Sequence, residues 1–223
     1  MGLVHAGMAQ HGAAVFAHEQ TKGKGQRSKQ WISSANENLI LSVVVNPKLP
    51  TSRQFLLSMC VAIAAQKLVA GYAKENTKIK WPNDLYWCDR KAGGILIENI
   101  VQGAEWKWAI VGIGLNINQT SFGNVSNAVS LKQITGKEFH TVTLAKELLV
   151  LLDEWFSQLI NNPERIVQEY QHHLYKQNES VRLKKGNRVF ETIIRGVDEN
   201  GLLVTQSGLE EKFGVGEVEW VIK

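Results

Sequence analysis

The sequence predicts an α+β protein in which a mixed β-sheet is followed by a small β-barrel of the SH3-like kind. Strand-like and helix-like segments follow one another without the strict β-α-β alternation of a doubly wound sheet. Residues 51–73 are apolar almost all round, which is typical of a buried central helix. Residues 180–222 offer only short strands separated by turn residues, which favours a small barrel.

Composition narrows the class of protein. The chain has 223 residues, of which 44% are hydrophobic and 21% charged, as in soluble globular proteins. Its longest apolar stretch, Leu56–Ala65, is far shorter than the ~20 residues of a membrane-spanning helix, and the N-terminus lacks a signal-peptide pattern. We therefore expect a cytoplasmic protein without membrane association, in which Cys60 and Cys88 stay reduced. The net charge of +4 comes from dispersed basic residues, so no nucleic-acid partner is expected.

The first half of the chain predicts five strands and one helix. Strands are expected at Ala14–Ala17 and at Leu39–Asn46, the second rich in β-branched residues. The long helix would follow, capped by Thr51 or Ser52 and ending near Ala73. Three more strands are predicted at Lys78–Trp81, Gly94–Val101 and Trp106–Ile117, the last two joined as a hairpin around residues 102–104.

Two more helices are predicted before the barrel. Apolar side chains from Leu144 to Leu159 repeat at helical spacing. A second helix would begin at Asn162, which can cap it, with Pro163 in the first turn and Glu164 near the positive end of the helix dipole.

The composition changes after Gln177, so we predict domains over residues 1–177 and 178–223. The second domain is too small to have much stability alone and is expected to pack on the first. Asn200-Gly201 predicts a two-residue hairpin turn. The expected strands are Val181–Lys184, Arg188–Val197, Leu202–Gln206, Glu211–Val215 and Glu217–Ile222.

Residues 19–31 form a loop rich in glycine and in basic side chains. Its glycines let backbone amides approach an anion closely, and the basic side chains supply positive charge, so the loop suits a phosphate or an adenylate. From composition alone, a solvated surface loop is the more frequent outcome, and the spacing matches neither the Walker A motif nor the dinucleotide fingerprint. The basic residues are Lys22, Lys24, Arg27 and Lys29.

A second segment, residues 80–98, concentrates polar groups at the end of a strand. Pro82 ends the strand and leaves Asn83 and Asp84 at its edge, where side-chain oxygens could hold Mg²⁺. Lys91 precedes two glycines and an apolar strand, so its ammonium could reach over a pocket. Taken singly, Asn83-Asp84 is typical of a turn and Lys91 of a surface charge.

A third segment places two alternate glycines, Gly112 and Gly114, inside a strand. Such glycines weaken a strand, so a bulky group is expected to lie against this backbone. A structural bulge is the alternative.

In this order and spacing, the three segments resemble the catalytic domain of biotin–protein ligases. The motifs that carry the resemblance are the glycine-rich basic loop, Lys80-Trp81-Pro82-Asn83-Asp84, Arg90-Lys91-x-x-Gly-Ile-Leu-x-Glu98 and Gly112-x-Gly114-x-Asn116. The resemblance also covers the C-terminal barrel. It implies a biotin/lipoate-ligase-type domain over residues 1–177 and an SH3-like domain over 178–223.

The resemblance implies an ATP-dependent ligase that forms biotinyl-5′-AMP and transfers biotin to a lysine of a biotin carboxyl carrier protein, with Mg²⁺ beside the ATP. Lys91, Lys24 and Arg27 would be catalytic, and Trp31 would stack on adenine. Biotin would contact Gln20, Gly23, Gly25, Lys91, Gly94, Leu96, Gly112 and Gly114. ATP would contact Lys24, Gln26, Arg27, Trp31, Asn83, Lys91 and Asn116, and Mg²⁺ would contact Asn83, Asp84 and Asn116.

The sequence departs from the family pattern at two places. Gln26 stands where the family usually has an arginine, a role that Arg27 would have to take over. A Ser-Thr-Asn segment that frames biotin in the family is not found before the first strand, and no helix-turn-helix precedes that strand. We therefore expect a form without a DNA-binding domain.

Two other functions stay open at this point. One is a lipoate–protein ligase or related acyltransferase of the same fold. The other is an inactive binding module whose basic hairpin, with Lys184, Lys185 and Arg188, contacts nucleic acid. The resemblance allows either a monomer or a homodimer.

Overall fold

The computed structural model describes residues 2–8, 10–26, 30–123, 125 and 127–221, without the side chains of Leu3, His5, Lys22, Gln30 and Ile32. The helices are α1 Gly2–His5, α2 Gln54–Ala73, α3 Leu131–Thr135, α4 Thr141–Asn161 and α5 Pro163–His172. The strands are β1 Ala14–Phe16, β2 Gln20–Lys24, β3 Gln30–Ser33, β4 Asn38–Val45, β5 Thr77–Lys80, β6 Asp84–Trp87, β7 Arg90–Gln102, β8 Glu105–Asn116, β9 Ser180–Lys185, β10 Arg188–Val197, β11 Leu203–Ser207, β12 Leu209–Phe213 and β13 Glu219–Trp220.

The strands confirm the α+β class. Six of them form one sheet in the order β1-β4-β8-β7-β6-β5, and five form a second sheet in the order β12-β11-β10-β9-β13. Strands β2 and β3 make a separate hairpin. The pairs between named strands are antiparallel, and parallel pairing is confined to isolated bridges such as Ile79 with Leu174. Between its named strands the large sheet is therefore antiparallel, whereas the sequence predicted a mixed sheet.

Helix α2 is the centre of the core, as its uniformly apolar sequence predicted. It packs between α4 and α5 on one side and strands β5, β6 and β7 on the other. With the preceding turn it is long and apolar enough to span a membrane by length and composition, but here its side chains form the protein core. Its buried residues are Leu56, Leu57, Met59, Cys60, Val61, Ala62, Ile63, Ala64, Ala65, Gln66, Leu68 and Val69.

Both predicted helix caps are wrong. Thr51 and Ser52 belong to a short 3-10 turn, and the residue before α2 is Arg53, which makes no capping hydrogen bond through its side chain. Asn162 precedes α5, yet its side chain makes no such bond either. The first turn of α5 is therefore supported by the proline at its start and by Glu164.

The second sheet packs on the large unit and is consistent with an SH3-like domain. Its strands match the predicted order, and buried residues such as Leu183 and Ile194 join the main hydrophobic core. The turn between β10 and β11 is longer than predicted, because Val197 pairs with Leu203 and leaves residues 198–202 in the loop. The division at residue 177 stays a prediction.

Truncation of the central helix should cost much of the stability. Ile63 is fully buried, so Ile63→Ala is expected to lower the free energy of unfolding by about 2–5 kcal/mol. Val150→Ala on α4, where the side chain is 69% exposed, is the control and should change it by less than about 0.5 kcal/mol. Urea denaturation measures both. Similar losses for the two variants would contradict this description of the core.

Candidate functional site

The centre of the site is a group of glycines on one face of the large sheet. Gly94 of β7 lies directly opposite Gly114 of β8, and Leu96 lies opposite Gly112. Because side chains alternate along a strand, these positions share one face of the sheet. Ile95 and Ile113 point to the other face and are buried in the core. We call the surface formed by Gly94, Gly112 and Gly114 the glycine floor.

An ion pair stands at one end of the glycine floor. The Nζ atom of Lys91 lies 2.6 Å from Oδ1 of Asp84. A Cβ atom added at Gly94 would lie 3.5 Å from that Nζ and 3.4 Å from that Oδ1, so the pair is adjacent to the floor. The side chains of Lys91 and Asp84 are 29% and 20% exposed, which leaves both within reach of a ligand.

The backbone of Lys91 is held from both sides. Its N–H donates to the carbonyl of Asn127 at 2.6 Å, and its carbonyl accepts from the N–H of Val129 at 2.9 Å. The carbonyl also accepts from Nδ2 of Asn116 at 3.2 Å. These bonds fix the backbone from which the Lys91 side chain extends.

The neighbouring Tyr86 remains a neutral group beside this ion pair. It pairs with Lys91 across β6 and β7, and its ring lies 5.1 Å from the ammonium of Lys80. Burial, and to a smaller extent the carboxylate of Asp84, raises the pKa of Tyr86. Its phenol therefore contributes no charge near Lys91.

An indole ring covers the other end of the glycine floor. A Cβ atom at Gly114 would lie 2.8 Å from two ring atoms of Trp31, so only glycine leaves room for this ring. The ring is brought there by the β2–β3 hairpin, in which Gly23 pairs with Trp31. A Cβ at Gly23 would overlap the carbonyl oxygen of Trp31. Trp31 is thus a bulky group against Gly114, whereas an added Cβ at Gly112 would meet only the carbonyl oxygen of Leu96, at 3.3 Å.

Trp31 also has an unused polar atom. Its Nε1 is buried and has no hydrogen-bond partner among the described residues. Because a buried donor without a partner is costly, the ring is suited to a ligand that accepts this hydrogen bond, or to a shift when a ligand arrives.

The three proposed Mg²⁺ ligands, Asn83, Asp84 and Asn116, lie in or near the same ion pair. In the two asparagines, the amide nitrogen already donates hydrogen bonds. Nδ2 of Asn83 donates to the carbonyl of Ile95 at 2.6 Å, and Nδ2 of Asn116 donates to two backbone carbonyls at 3.2 Å. Their amide oxygens would be the ligands, with Asp84 as the one carboxylate. Among the described residues, no group of three or more His, Cys, Asp or Glu side chains could hold a metal ion. The residues therefore fit a Mg²⁺ ion that arrives with phosphate oxygens, and they do not form a complete metal site.

Other predicted residues are less informative. Gln20 lies beside Gly23, since Oε1 of Gln20 would be 3.0 Å from a Cβ at that glycine. Lys24 is exposed on β2, Gly25 follows it, and Leu96 is half-buried. Arg27 lies outside the described residues, so its predicted roles stay predictions. The functional roles of the other predicted site residues also stay predictions.

A cavity of about 370 Å³, which the sequence did not predict, lies beyond the edge of β7. Gln26 and Asn83 line it together with the start of α2 and with Asn200 and Val215 of the C-terminal unit. Ile95 and Ile97 also line it, which places much of it on the face of β7 opposite the glycine floor. None of the described side chains that line it is charged, so it differs in character from the Lys91 end of the floor.

Comparison with known proteins identifies the family. The sequence profile of the Biotin/lipoate A/B protein ligase family matches residues 5–116, which is half of the chain. The chain belongs to this family. The matched residues include the glycine-rich hairpin, the Lys91–Asp84 pair and the glycine floor, so the family match and the candidate site cover the same part of the chain.

Full-length relatives extend the similarity beyond the family match. The bifunctional ligase/repressor BirA of Bacillus spizizenii is 26% identical over 91% of this chain, and the chain spans 65% of that protein, just under two thirds. The biotin–[acetyl-CoA-carboxylase] ligase of Mycobacterium tuberculosis is 27% identical over 88% of this chain and 74% of its own length. The biotin protein ligase of Aquifex aeolicus, solved with biotin and ATP, shares the fold with a TM-score of 0.81 at 23% identity, over 96% of this chain and 91% of that one.

The two paired glycines of the floor should respond differently to a methyl group. Gly114→Ala would force the Trp31 ring to move and is expected to lower the free energy of unfolding by about 1–3 kcal/mol. Gly94→Ala is the matched control, because its Cβ would make ordinary contacts, and should lower it by less than about 1 kcal/mol. Urea denaturation of both variants decides. Equal values would show that Trp31 does not pack on Gly114.

Proposed function

We propose that this protein activates biotin with ATP and attaches it to a lysine of a biotin carrier protein. The observation that carries the proposal is the glycine floor, with the Lys91–Asp84 pair at one end and the Trp31 indole at the other. The relatives described above bear the names of biotin ligases and support the same activity.

The glycine floor suits a flat ligand with an acidic tail. A backbone surface without side chains allows a fused ring system to approach the sheet closely, as ligand sites with apolar walls and a few polar groups do. The ammonium of Lys91 is the cation beside this floor and is the natural partner of the biotin carboxylate. The indole of Trp31, a large flat ring, would stack on the adenine of the nucleotide.

In the first step, an oxygen of the biotin carboxylate attacks the α-phosphorus of ATP, and pyrophosphate leaves. Both reactants are anions, so their approach is opposed by charge repulsion. Lys91 would offset this repulsion, because its ammonium, now paired with Asp84, can transfer to the two anions. The held backbone of Lys91 places that charge in advance.

In the second step, the neutral amine of an acceptor lysine attacks the acyl carbon of biotinyl-5′-AMP. The amide bond forms, AMP leaves with the electrons of the anhydride bond, and the amine loses a proton. The mixed anhydride is prone to hydrolysis, so it must be kept from water. The β2–β3 hairpin, which lays Trp31 over the floor, is the element that would cover it.

Several finer features belong to the same proposal. Mg²⁺ would enter with ATP and take the amide oxygens of Asn83 and Asn116 as ligands, with Asp84 as the carboxylate. Arg27 would assist Lys91 because Gln26 cannot supply the charge of the usual arginine. The acceptor would be the biotin carboxyl carrier domain of a carboxylase. We further expect a cytoplasmic enzyme, for which a homodimer is compatible with the fold.

The activity is tested by exchange of labelled pyrophosphate into ATP. We expect exchange that requires biotin, and transfer of labelled biotin to a biotin carrier domain but not to the same domain with its target lysine replaced by arginine. Lipoate is the matched control, because the family includes ligases for both acids. Exchange with lipoate and none with biotin would overturn the assigned substrate, and exchange with neither would overturn the proposed activity.

Removal of the Lys91 ammonium should strongly lower the rate of the first step. Lys91→Ala is expected to lower the rate of biotin-dependent exchange by about 10²–10³-fold, the usual loss when one charge-stabilising group is removed. Lys146→Ala, at an exposed position on α4, is the control and should exchange at the wild-type rate. Equal rates for the two variants, measured with saturating biotin and ATP, would remove Lys91 from the mechanism.

A further inference from the structure

One buried hydrogen bond connects the C-terminal sheet to the candidate site. Trp81 follows strand β5 and is 1% exposed. Its Nε1 donates to the carbonyl of Gly201 at 2.9 Å, and Gly201 lies in the turn between β10 and β11. Trp81 is followed directly by Pro82, Asn83 and Asp84, so this bond is made at the base of the segment that carries two of the proposed nucleotide-binding residues.

The turn that presents the Gly201 carbonyl is itself rigid. One carboxylate oxygen of Asp198 accepts hydrogen bonds from the N–H groups of Asn200 and Leu202, both at 3.0 Å. The N–H of Gly201 donates to the carbonyl of Asp198 at 2.9 Å. The other carboxylate oxygen of Asp198 pairs with Lys212 at 3.2 Å. The acceptor for Trp81 is therefore fixed by the C-terminal sheet.

Gly201 also has no room for a side chain. Its φ is +82°, and a Cβ there would overlap the ring of Phe55, from the first turn of α2. Any side chain at this position would push the turn away from the large unit. The Trp81 indole would then lose its acceptor or would have to follow the turn.

The segment after Trp81 is bonded to β7 as well. Asn83 is bonded to Ile95 through both its side chain, at 2.6 Å, and its backbone carbonyl, at 2.9 Å, and Asp84 holds Lys91. The cavity of about 370 Å³ lies beside Pro82 and Asn83 and extends to Asn200, so side chains do not fill the space on that side. The Trp81–Gly201 bond is thus a direct polar link between the two units beside this cavity.

We infer that Trp81 and Gly201 are positioning residues, through which the C-terminal sheet holds Asn83 and Asp84 in register with Lys91 for the nucleotide. The inference rests on the proposed function, since it concerns the ATP side of that site. It assigns the C-terminal sheet a role in adenylate formation through one identified contact. Because Trp81 and Gly201 would act through Asn83 and Asp84, on the ATP side of the site, the expected effect falls on ATP more than on biotin.

The chain offers a matched pair of glycines for the test. Gly201 and Gly208 lie in successive turns of the C-terminal sheet with φ of +82° and +83°, so alanine causes similar backbone strain at each. Only at Gly201 would the methyl group meet Phe55, because no atom lies within 4 Å of a Cβ at Gly208. We expect Gly201→Ala to raise the KM for ATP in the exchange assay about tenfold or more, and Gly208→Ala to leave it unchanged.

A second pair of variants each removes one indole hydrogen-bond donor and retains a buried aromatic ring. Trp81→Phe retains a buried ring but loses Nε1, and Trp106→Phe does the same at a buried tryptophan that donates to the carbonyl of Trp108 at 3.1 Å. Trp81→Phe should raise the KM for ATP, whereas Trp106→Phe should not. The Kd for biotin without ATP, measured by calorimetry, should stay at the wild-type value in both, which a general loss of structure would not allow.

The outcomes separate this inference from the proposed function. If the wild type shows no biotin-dependent exchange, the proposed activity fails and the inference fails with it. If the wild type is active but Gly201→Ala matches Gly208→Ala and Trp81→Phe matches Trp106→Phe, the positioning role alone is wrong. If Gly201→Ala does not fold, the tryptophan pair decides by the same comparison.

Discussion

The close approach of side-chain-free backbone on β7 and β8 is the constraint on which the rest of the site depends. Gly94 and Gly114 face each other across the two central strands, so this part of the sheet carries no side chains of its own, and the Trp31 ring lies against it at Gly114. The opposite face of the same strands packs in the core with α2, and this packing keeps the floor flat and in place. The strands therefore serve stability on one face and, in the proposed function, ligand binding on the other.

The two ends of the floor are set by different parts of the chain. The Lys91–Asp84 pair is built on β6 and β7, where neighbouring strands and the backbone of residues 127–129 hold it. Trp31 comes from a two-stranded hairpin outside the large sheet. Among the described residues, this hairpin pairs with no other strand. The charged end is therefore fixed and the aromatic end has more freedom to adapt. This division suits a reaction in which a ligand must enter and a reactive intermediate must then be covered.

Much of the fold could be predicted from periodicity, and the site from three motifs. The apolar helix α2 and the strands β4 and β8 have strong patterns and were found near their true bounds, whereas β7 begins at Arg90, four residues before the predicted Gly94. The β2–β3 hairpin, β6 and the short α3 were not predicted. Residues 20–24 are Gln-Thr-Lys-Gly-Lys, which lack the alternation of a half-buried strand, and α3 spans only five residues. The predicted helix caps were wrong, since Arg53 and neither Thr51 nor Ser52 directly precedes α2, and Asn162 makes no capping hydrogen bond through its side chain before α5. The link from Trp81 to Gly201 joins residues far apart in the chain, and no local pattern could have indicated it.

The central claim is that the glycine floor holds biotin. A crystal structure of the whole chain with biotin and a non-hydrolysable ATP analogue tests it most directly. The fused ring should lie on the glycine floor, with the Trp31 ring moved away from Gly114 and the biotin carboxylate beside the ammonium of Lys91. Biotin bound instead in the cavity against Ile95 and Ile97, with the floor still covered by Trp31, would contradict it.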